Sequence, residues 1–433
     1  MQGPALGLAG FGAVLLLIAL RIPVGISMGV VGALGYGLTY GGSSLAFVLG
    51  RAPFDSVFPV SLSVVPLFVM MGVFAGRTGL SQSLYNLVAA FVGHLRGGLA
   101  LATIGASALF GAVCGSSIAT AATIGRIALP EMRRHGYDDR LASASVAAGG
   151  TLGVMIPPSI LFVIYGLMTE NPIGKLFVAG ILPGLVGTGL YMGAVRWLTW
   201  RHPAYGPAGA RRSWAERMRG LADVWQVVLL FGVVLGGMYL GWFSPTEAAA
   251  VGAFGALALA AFGGQLSLDL LARGMTETAG TTAMIFMILI GASVFNFFID
   301  ATGLTQSTIS YVRDLGWGRI EVLVALCAFY IVLGCLMDSL SMILLTLGAV
   351  YPLVKSFGFD PIWFGVVLVT LGEIGMITPP VGMNLFVLQG VAGLRLETIA
   401  RGILPFVGAD VVRIILLALF PLLATWLPSR MAG

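Results

Sequence analysis

Apolar residues fall along this chain in long unbroken runs, parted by short polar stretches. The runs near 5–20, 24–40, 57–76 and 176–198 each approach the roughly 20 residues that a helix needs to cross a bilayer. In the second half comparable runs lie near 225–241, 246–262, 279–298 and 402–427. The runs do not alternate between apolar and polar positions, which excludes a transmembrane β-barrel. Two shorter amphipathic pieces, 80–95 and 304–315, read as helices lying in the membrane interface. The first run lacks a basic leader and a cleavage site, so a retained helix is expected there, not a signal peptide.

Four long segments are interrupted. Segment 98–130 is cut by Gly115-Ser116-Ser117, and segment 320–352 carries Asp338 at the matching place, so both predict hairpins that enter and leave on one side. Segments 141–168 and 362–388 contain the stretches GGTLGVMIPPSI (149–160) and GEIGMITPPVGM (372–383). Proline lacks an N–H, so the carbonyl four residues earlier loses its helical donor. Pro157 and Pro158 are expected to free the carbonyls of Gly153 and Val154, and Pro379 and Pro380 those of Gly375 and Met376. The glycines beside them predict further disruption. In hydrocarbon a freed carbonyl must find another partner or line a cavity. Two broken helices at matching places are the best pointer in a sequence to a transport site. The plainer reading is a pair of kinks that only shape packing.

The matching is quantitative. Pro157 and Pro379, Gly153 and Gly375, Gly150 and Gly372, and Pro23 and Pro245 all lie 222 positions apart. So do the loops HGYD (135–138) and FGFD (357–360) and the two copies of GILP at 180 and 402. This predicts an internal duplication. A first repeat spans 1–198 and a second spans 224–433, joined by a polar Arg-rich linker at 199–223. Five crossings per repeat, an odd number, would invert the second repeat relative to the first. With the N-terminus outside, fifteen of the 23 Lys and Arg residues fall on the cytoplasmic side and six outside, as the positive-inside rule requires. The amphipathic pieces then lie in opposite interfaces, like arms.

Composition narrows the class further. Hydrophobic residues make up 58% of the chain and charged residues only 9%, against about 25% charged in a soluble domain. The fold class is therefore an all-α polytopic membrane protein in contact with lipid. The net charge of +5 does not point to nucleic acid, because the basic residues sit between apolar runs. Cys114, Cys327 and Cys335 lie in apolar segments and imply no disulfide framework. His94, His135 and His202 are scattered, so no metal site of the transition-metal kind is expected. No nucleophile–base arrangement or phosphate-cradling loop stands out, so the chain does not read as an enzyme.

If each hairpin tip meets its break, the two offer hydroxyls and free carbonyls, hard oxygens that suit Na⁺. The half-helix N-termini beyond the breaks, at Ser159 and near Gly382 and Asn384, offer positive dipole ends to an anionic group. Asp338 stands where the first half has Ser116. With Ser339, Ser341 and Thr378 it could hold a cation or a proton, or it could simply cap a hairpin helix. Glu373 either tunes the second break or pairs with a base on a neighbouring helix. Asp410 and Arg413, three apart, predict a structural ion pair. Arg126 either faces an anionic substrate or snorkels to the interface. Trp197, Trp200 and Trp214 flank the Arg-rich linker as interface anchors.

At these residues the chain resembles the large membrane subunit of tripartite ATP-independent periplasmic (TRAP) transporters of the dicarboxylate type. The resemblance rests on PLFVMMG (66–72), GHLRGGLA (93–100), GSSIATAATIG (115–125), GGTLGVMIPPSILFVIYG (149–166), SPTEAAAVGAFG (244–255) and GMITPPVGMNLFV (375–387), and runs nearly the whole length. It implies an elevator-type transporter of the bacterial inner membrane that imports an organic acid with Na⁺. It also implies a periplasmic substrate-binding protein and a small four-helix membrane subunit, expected here as a separate chain. The cation sites it implies are Ser116, Ser117, Gly150, Met155 and Pro157 in the first half, and Asp338, Ser341, Gly372, Thr378 and Pro379 in the second. The substrate would lie against Gly115, Gly153, Ser159 and Ser339, and against Gly375, Gly382 and Asn384. A proton-coupled transporter or a cation-selective channel of the same superfamily is the alternative.

Overall fold

The computed structural model describes residues 3–431, all of them helical or connecting. The chain opens with α1 (Gly3–Ala19), α2 (Val24–Tyr40), α3 (Gly42–Val57) and α4 (Val64–Arg77), followed by the arm α5 (Leu80–Val92). The first hairpin is α6 (Gly98–Cys114) and α7 (Ser117–Arg134). The first broken helix is α8 (Asp139–Met155) and α9 (Ile160–Thr169), and α10 (Ile173–Arg201) closes the half. The linker holds α11 (Trp214–Asp223). The second half runs through α12 (Trp225–Tyr239), α13 (Pro245–Phe262), α14 (Leu268–Thr302) and the arm α15 (Leu304–Asp314). Its hairpin is α16 (Arg319–Gly334) and α17 (Ser339–Ser356), and its broken helix is α18 (Pro361–Ile377) and α19 (Met383–Ala392). It ends with α20 (Leu396–Leu419) and α21 (Leu422–Thr425). Seven of the described stretches are long and apolar enough to span a membrane, so this is a multi-span membrane protein.

The repeated loops have a local cause. Asp138 accepts the Arg140 N–H at 2.8 Å and starts α8, and Asp360 accepts the Trp363 N–H at 2.8 Å and starts α18. Gly79 and Gly303, both with positive φ, turn the chain into the arms α5 and α15.

Several boundaries differ from the sequence expectation. Residues 42–57 form α3, where no element was expected, because Arg51, Pro53 and Asp55 break up its apolar pattern. Arg51 and Asp55 pair at 2.7 Å one turn apart and make those charges compatible with a helix. The expected span 279–298 is the end of a 35-residue helix, α14. The first half is interrupted at Pro59 in the corresponding region, and α14 contains no proline. The hairpin helices run past Pro130 and Pro352 to Arg134 and Ser356, with basic residues in their last turns to complement the helix dipole. The linker is not merely polar: buried Arg217 of α11 donates to the Ala90 carbonyl at 3.1 Å and stacks over Phe91 and Trp214, fastening α11 to the arm α5.

The largest correction concerns the glycines of the breaks. Gly149, Gly150 and Gly153 lie within α8, and Gly372 and Gly375 lie within α18. They do not disrupt the helix. They let another helix touch it. Gly111 of α6 meets Gly153 so closely that a Cβ on Gly111 would lie 2.2 Å from the Gly153 Cα. In the second half, a Cβ on Gly334 would lie 2.9 Å from the Gly375 Cα. Small residues at such seams are how membrane helices gain close packing. A separate seam, Gly25 against Gly291 and Gly32 against Phe295, joins α2 to α14.

The two halves are also tied by a buried polar cluster. Arg413 on α20 pairs with Glu373 on α18 and with Asp410 at 2.8 Å. The Tyr191 hydroxyl on α10 donates to Asp410 at 2.6 Å and lies 3.2 Å from the Thr151 hydroxyl on α8. All five side chains are fully buried. Glu373 therefore takes the second of its two expected roles, and the Asp410–Arg413 pair is present with an added partner. Removing Arg413 would strand two carboxylates. We expect Arg413→Ala to cost about 3–5 kcal/mol, read as a lower midpoint of thermal unfolding in detergent. An unchanged midpoint would contradict the role given to this cluster.

Candidate functional site

Both hairpin tips face one cavity of about 510 Å³. Gly115, Ser116 and Ser117 enter it from the first half, and Asp338, Ser339 and Leu340 from the second. Its opposite wall is α4 and α14, through residues such as Gly72, Thr281 and Met284. Behind each tip stands its break. Val154 and Ile160 flank the first break, Met376 lies just before the second, and all three reach the same cavity.

The first break covers 156–159. The Ile156 N–H still reaches the Leu152 carbonyl at 3.1 Å, and the next two residues are prolines. The carbonyls of Gly153 and Val154 accept no backbone N–H among the described residues, as expected. Ser159 then caps α9, its buried hydroxyl accepting the Phe162 N–H at 3.4 Å. The second break is one residue longer. There the Thr378 N–H reaches back to the Gly375 carbonyl at 3.3 Å, so Gly375 is not freed, contrary to expectation. The three-residue return tightens the last turn, which α8 does not do. Met376 keeps a free carbonyl, and Gly382, with φ +53°, starts α19. A Cβ on Gly382 would lie 3.2 Å from that carbonyl oxygen.

Tip and break touch in both halves. A Cβ on Gly150 would lie 3.1 Å from the Ser117 carbonyl oxygen, and one on Gly372 would lie 2.8 Å from the Ser339 hydroxyl. Gly115, at φ +63°, sits beside the Pro158 carbonyl. Ser116 caps α7 by accepting the Ala119 N–H at 3.4 Å. Asp338 caps α17 in the same way, accepting the Ser341 N–H at 3.0 Å and the Ser341 hydroxyl at 2.6 Å. Its capping role is thus real, and the carboxylate still lines the cavity.

Other candidates are placed less directly. Pro157 is buried and borders a separate apolar cavity with Phe177 and Leu235. Met155 ends α8, its carbonyl oxygen 2.6 Å from where a Cβ on Gly180 would sit. The Thr378 hydroxyl donates to the Ile374 carbonyl at 2.6 Å, and Pro379 is half-buried. Asn384 is fully buried and donates to the Ser117 hydroxyl at 2.7 Å and to the Ala147 carbonyl at 3.2 Å. It links the second break to the first hairpin instead of pointing into the cavity.

Among the buried hydroxyls without a hydrogen-bond partner in the described residues are Thr120, against Gly153, and Ser339, against Gly372. Unpartnered oxygens beside free carbonyls fit a weakly bound hard cation. No group of three or more His, Cys, Asp or Glu among the described residues could hold a transition metal. Thr120 escaped the sequence reading, since a threonine in an apolar helix carries no pattern. Arg126 also lines the cavity, beside the Arg77–Glu277 ion pair at 2.6 Å.

The fold has solved relatives. It superposes on the Alcanivorax borkumensis YdaH transporter with a TM-score of 0.63, at 17% identity, covering 96% of this chain and 98% of that one. Sequence relatives are closer. The Pseudomonas aeruginosa C4-dicarboxylate TRAP transporter large permease protein DctM is 36% identical over 87% of this chain and 88% of its own length. The isethionate TRAP transporter permease protein DctMQ of Oleidesulfovibrio alaskensis is 35% identical over 92% of this chain, which spans only 62% of that longer protein. Residues 11–423, hairpins and breaks included, match the model of the DctM component of the tripartite ATP-independent periplasmic transporter. A family of transporters, not enzymes, accounts for a multi-span fold whose two hairpin tips share one cavity, and the chain belongs to the DctM component family of TRAP transporters.

Proposed function

We propose that this chain is the large membrane subunit of a Na⁺-coupled importer of an organic acid in a bacterial inner membrane. The observation that carries this reading is the convergence of both hairpin tips, each backed by its own broken helix, on one cavity. Na⁺ would bind where tip meets break, using Ser116, Ser117 and Thr120 with the free carbonyls in the first half, and Asp338, Ser339 and Thr378 in the second. An anionic substrate would then meet bound cations and helix N-termini instead of bare hydrocarbon.

The finer architecture belongs to the same proposal. The repeats, 1–198 and 224–433, are inverted with five crossings each, and their hairpins and breaks move as one body against α2, α4, α13 and α14. The cavity lies between those two groups, where an elevator would need it. Its mouth holds Arg77 and Glu277, on the side that carries most basic residues, so this conformation reads as open to the cytoplasm. The name DctMQ carried by one longer relative supports a small membrane subunit as partner. A periplasmic binding protein would deliver the substrate. Asp338 favours one second reading, a proton in place of one Na⁺.

Reconstituted with its partners, the system is expected to take up substrate under an imposed Na⁺ gradient and to fall to background when choline replaces Na⁺. Equal rates would reject Na⁺ coupling, and uptake driven by a pH gradient alone would favour the proton reading. Ser116→Ala and Asp338→Ala should each raise the Na⁺ concentration for half-maximal uptake by about tenfold, the loss of one charge-assisted contact. Unchanged Na⁺ dependence in both removes the proposed sites. Gly150→Ala should act like Ser116→Ala without touching a ligand, because the added methyl would lie 2.7 Å from the Ala121 Cβ and push tip from break. Wild-type Na⁺ dependence in that variant would show that the seam does not set the site.

A further inference from the structure

Arg126 is a cation in the wrong place for a structural role. It stands midway along α7, ten residues from Ser116, or about 15 Å along the helix axis. It precedes the last turn of α7, where Arg133 and Arg134 sit. It is exposed and lines the cavity that both tips share. Among the described residues it makes no ion pair. Of the other charges on the cavity wall, Arg77 pairs with Glu277 at 2.6 Å, and Asp338 is held by Ser341 without a countercharge. A cation on a cavity wall with no ion-pair partner is open to an anionic ligand. Its planar fork suits a bidentate carboxylate or sulfonate.

We propose that Arg126 is the residue that anchors the acid group of the transported solute. The inference rests on the transport reading above and deepens it. Ser116, Ala119, Thr123 and Arg126 form one stripe of α7 along the cavity, with spacings of three and four residues. A solute acid group on Arg126 leaves the remainder of the molecule to extend along this stripe toward the tips. There Asp338 and any bound cation form the opposite pole. The site therefore selects for an acid group at one end, and its second end is free to be hydroxylated, acidic or cationic. Sequence alone left Arg126 between this role and snorkelling. Its place on the cavity wall, without an ion-pair partner, points to the first.

The test uses the thiol of Cys114, which lines the same cavity, as a reporter. In a background of Cys327→Ala and Cys335→Ala, the rate of its alkylation by a small maleimide is measured on the full chain in detergent. The probes are succinate, isethionate, N-acetylneuraminate and ectoine, each with Na⁺ and with choline. At least one probe should slow alkylation in the wild-type background. Arg126→Gln should raise the concentration needed for half-protection by about tenfold or more, and Arg126→Lys should restore part of the effect. Equal protection in Arg126→Gln, or no protection by any probe, overturns the inference. Protection that is the same in choline would count against Na⁺ coupling alone and leave Arg126 in place, so the two readings fail separately.

Discussion

The structure depends on a rule about backbone in hydrocarbon: a carbonyl that loses its helical donor must be satisfied by protein or open onto a cavity. Two proline pairs impose that loss at matching positions in the two halves, and the chain answers it with a second element at each place. The hairpin tips bring polar atoms to the breaks. Ser117 and Ser339 lie against Gly150 and Gly372. The free carbonyls of Gly153, Val154 and Met376 border the same region. On the proposed reading, a transport site and a packing solution are one object. The polar atoms that keep the broken backbone from standing bare in lipid are the atoms available to a passing ion.

Close approach makes this arrangement possible, and glycine makes close approach possible. The Gly111–Gly153 and Gly334–Gly375 seams bring hairpin and broken helix into backbone contact. Any side chain there would hold the tip away from the break. Rigidity comes from elsewhere. The Glu373–Arg413–Asp410 cluster, with Tyr191 and Thr151, joins α8, α10, α18 and α20 and so links the two breaks through charge buried on all sides. Asn384 adds a direct tie from the second break to Ser117 of the first hairpin. The two proposed cation sites are thus neighbours held in one frame, although they come from opposite halves of the sequence.

Much of this was legible in the sequence, and the limits have physical causes. Pattern along the chain reports what is local and what is repeated. The proline pairs, the HGYD and FGFD loops, the arms and the hairpin tips are all local, and an offset of 222 ties the proline pairs, loops and tips together. Contacts between distant helices leave no such trace. The glycines of 149–153 read as disruptors because composition cannot distinguish a glycine that bends a helix from one that admits a neighbour. Helix α3 was hidden by Arg51 and Asp55, whose mutual pairing only the fold reveals. Thr120 and Asn384 matter through partners far away in sequence. Even the repeat hides a difference: the second break has one more residue and turns back on Gly375, so the two halves are related in plan and not in detail.

That difference extends to charge and bears on function. The first tip offers Ser116 where the second offers Asp338, and the first hairpin has Thr120 where the second has Met342. One proposed site is then neutral and the other anionic. The buried cluster answers its charges internally, and Arg77 answers Glu277. What remains facing the cavity is one anion, Asp338, and one cation, Arg126. A body that must carry its cargo past apolar helices moves most easily with little net charge. On the proposed reading, Na⁺ answers Asp338 and the acid group of the solute answers Arg126. Loading both poles would leave the moving surface close to neutral, whereas loading one would leave a charge exposed to the hydrocarbon it has to cross. Coupling between ion and solute then follows from desolvation cost, without any requirement that the two touch.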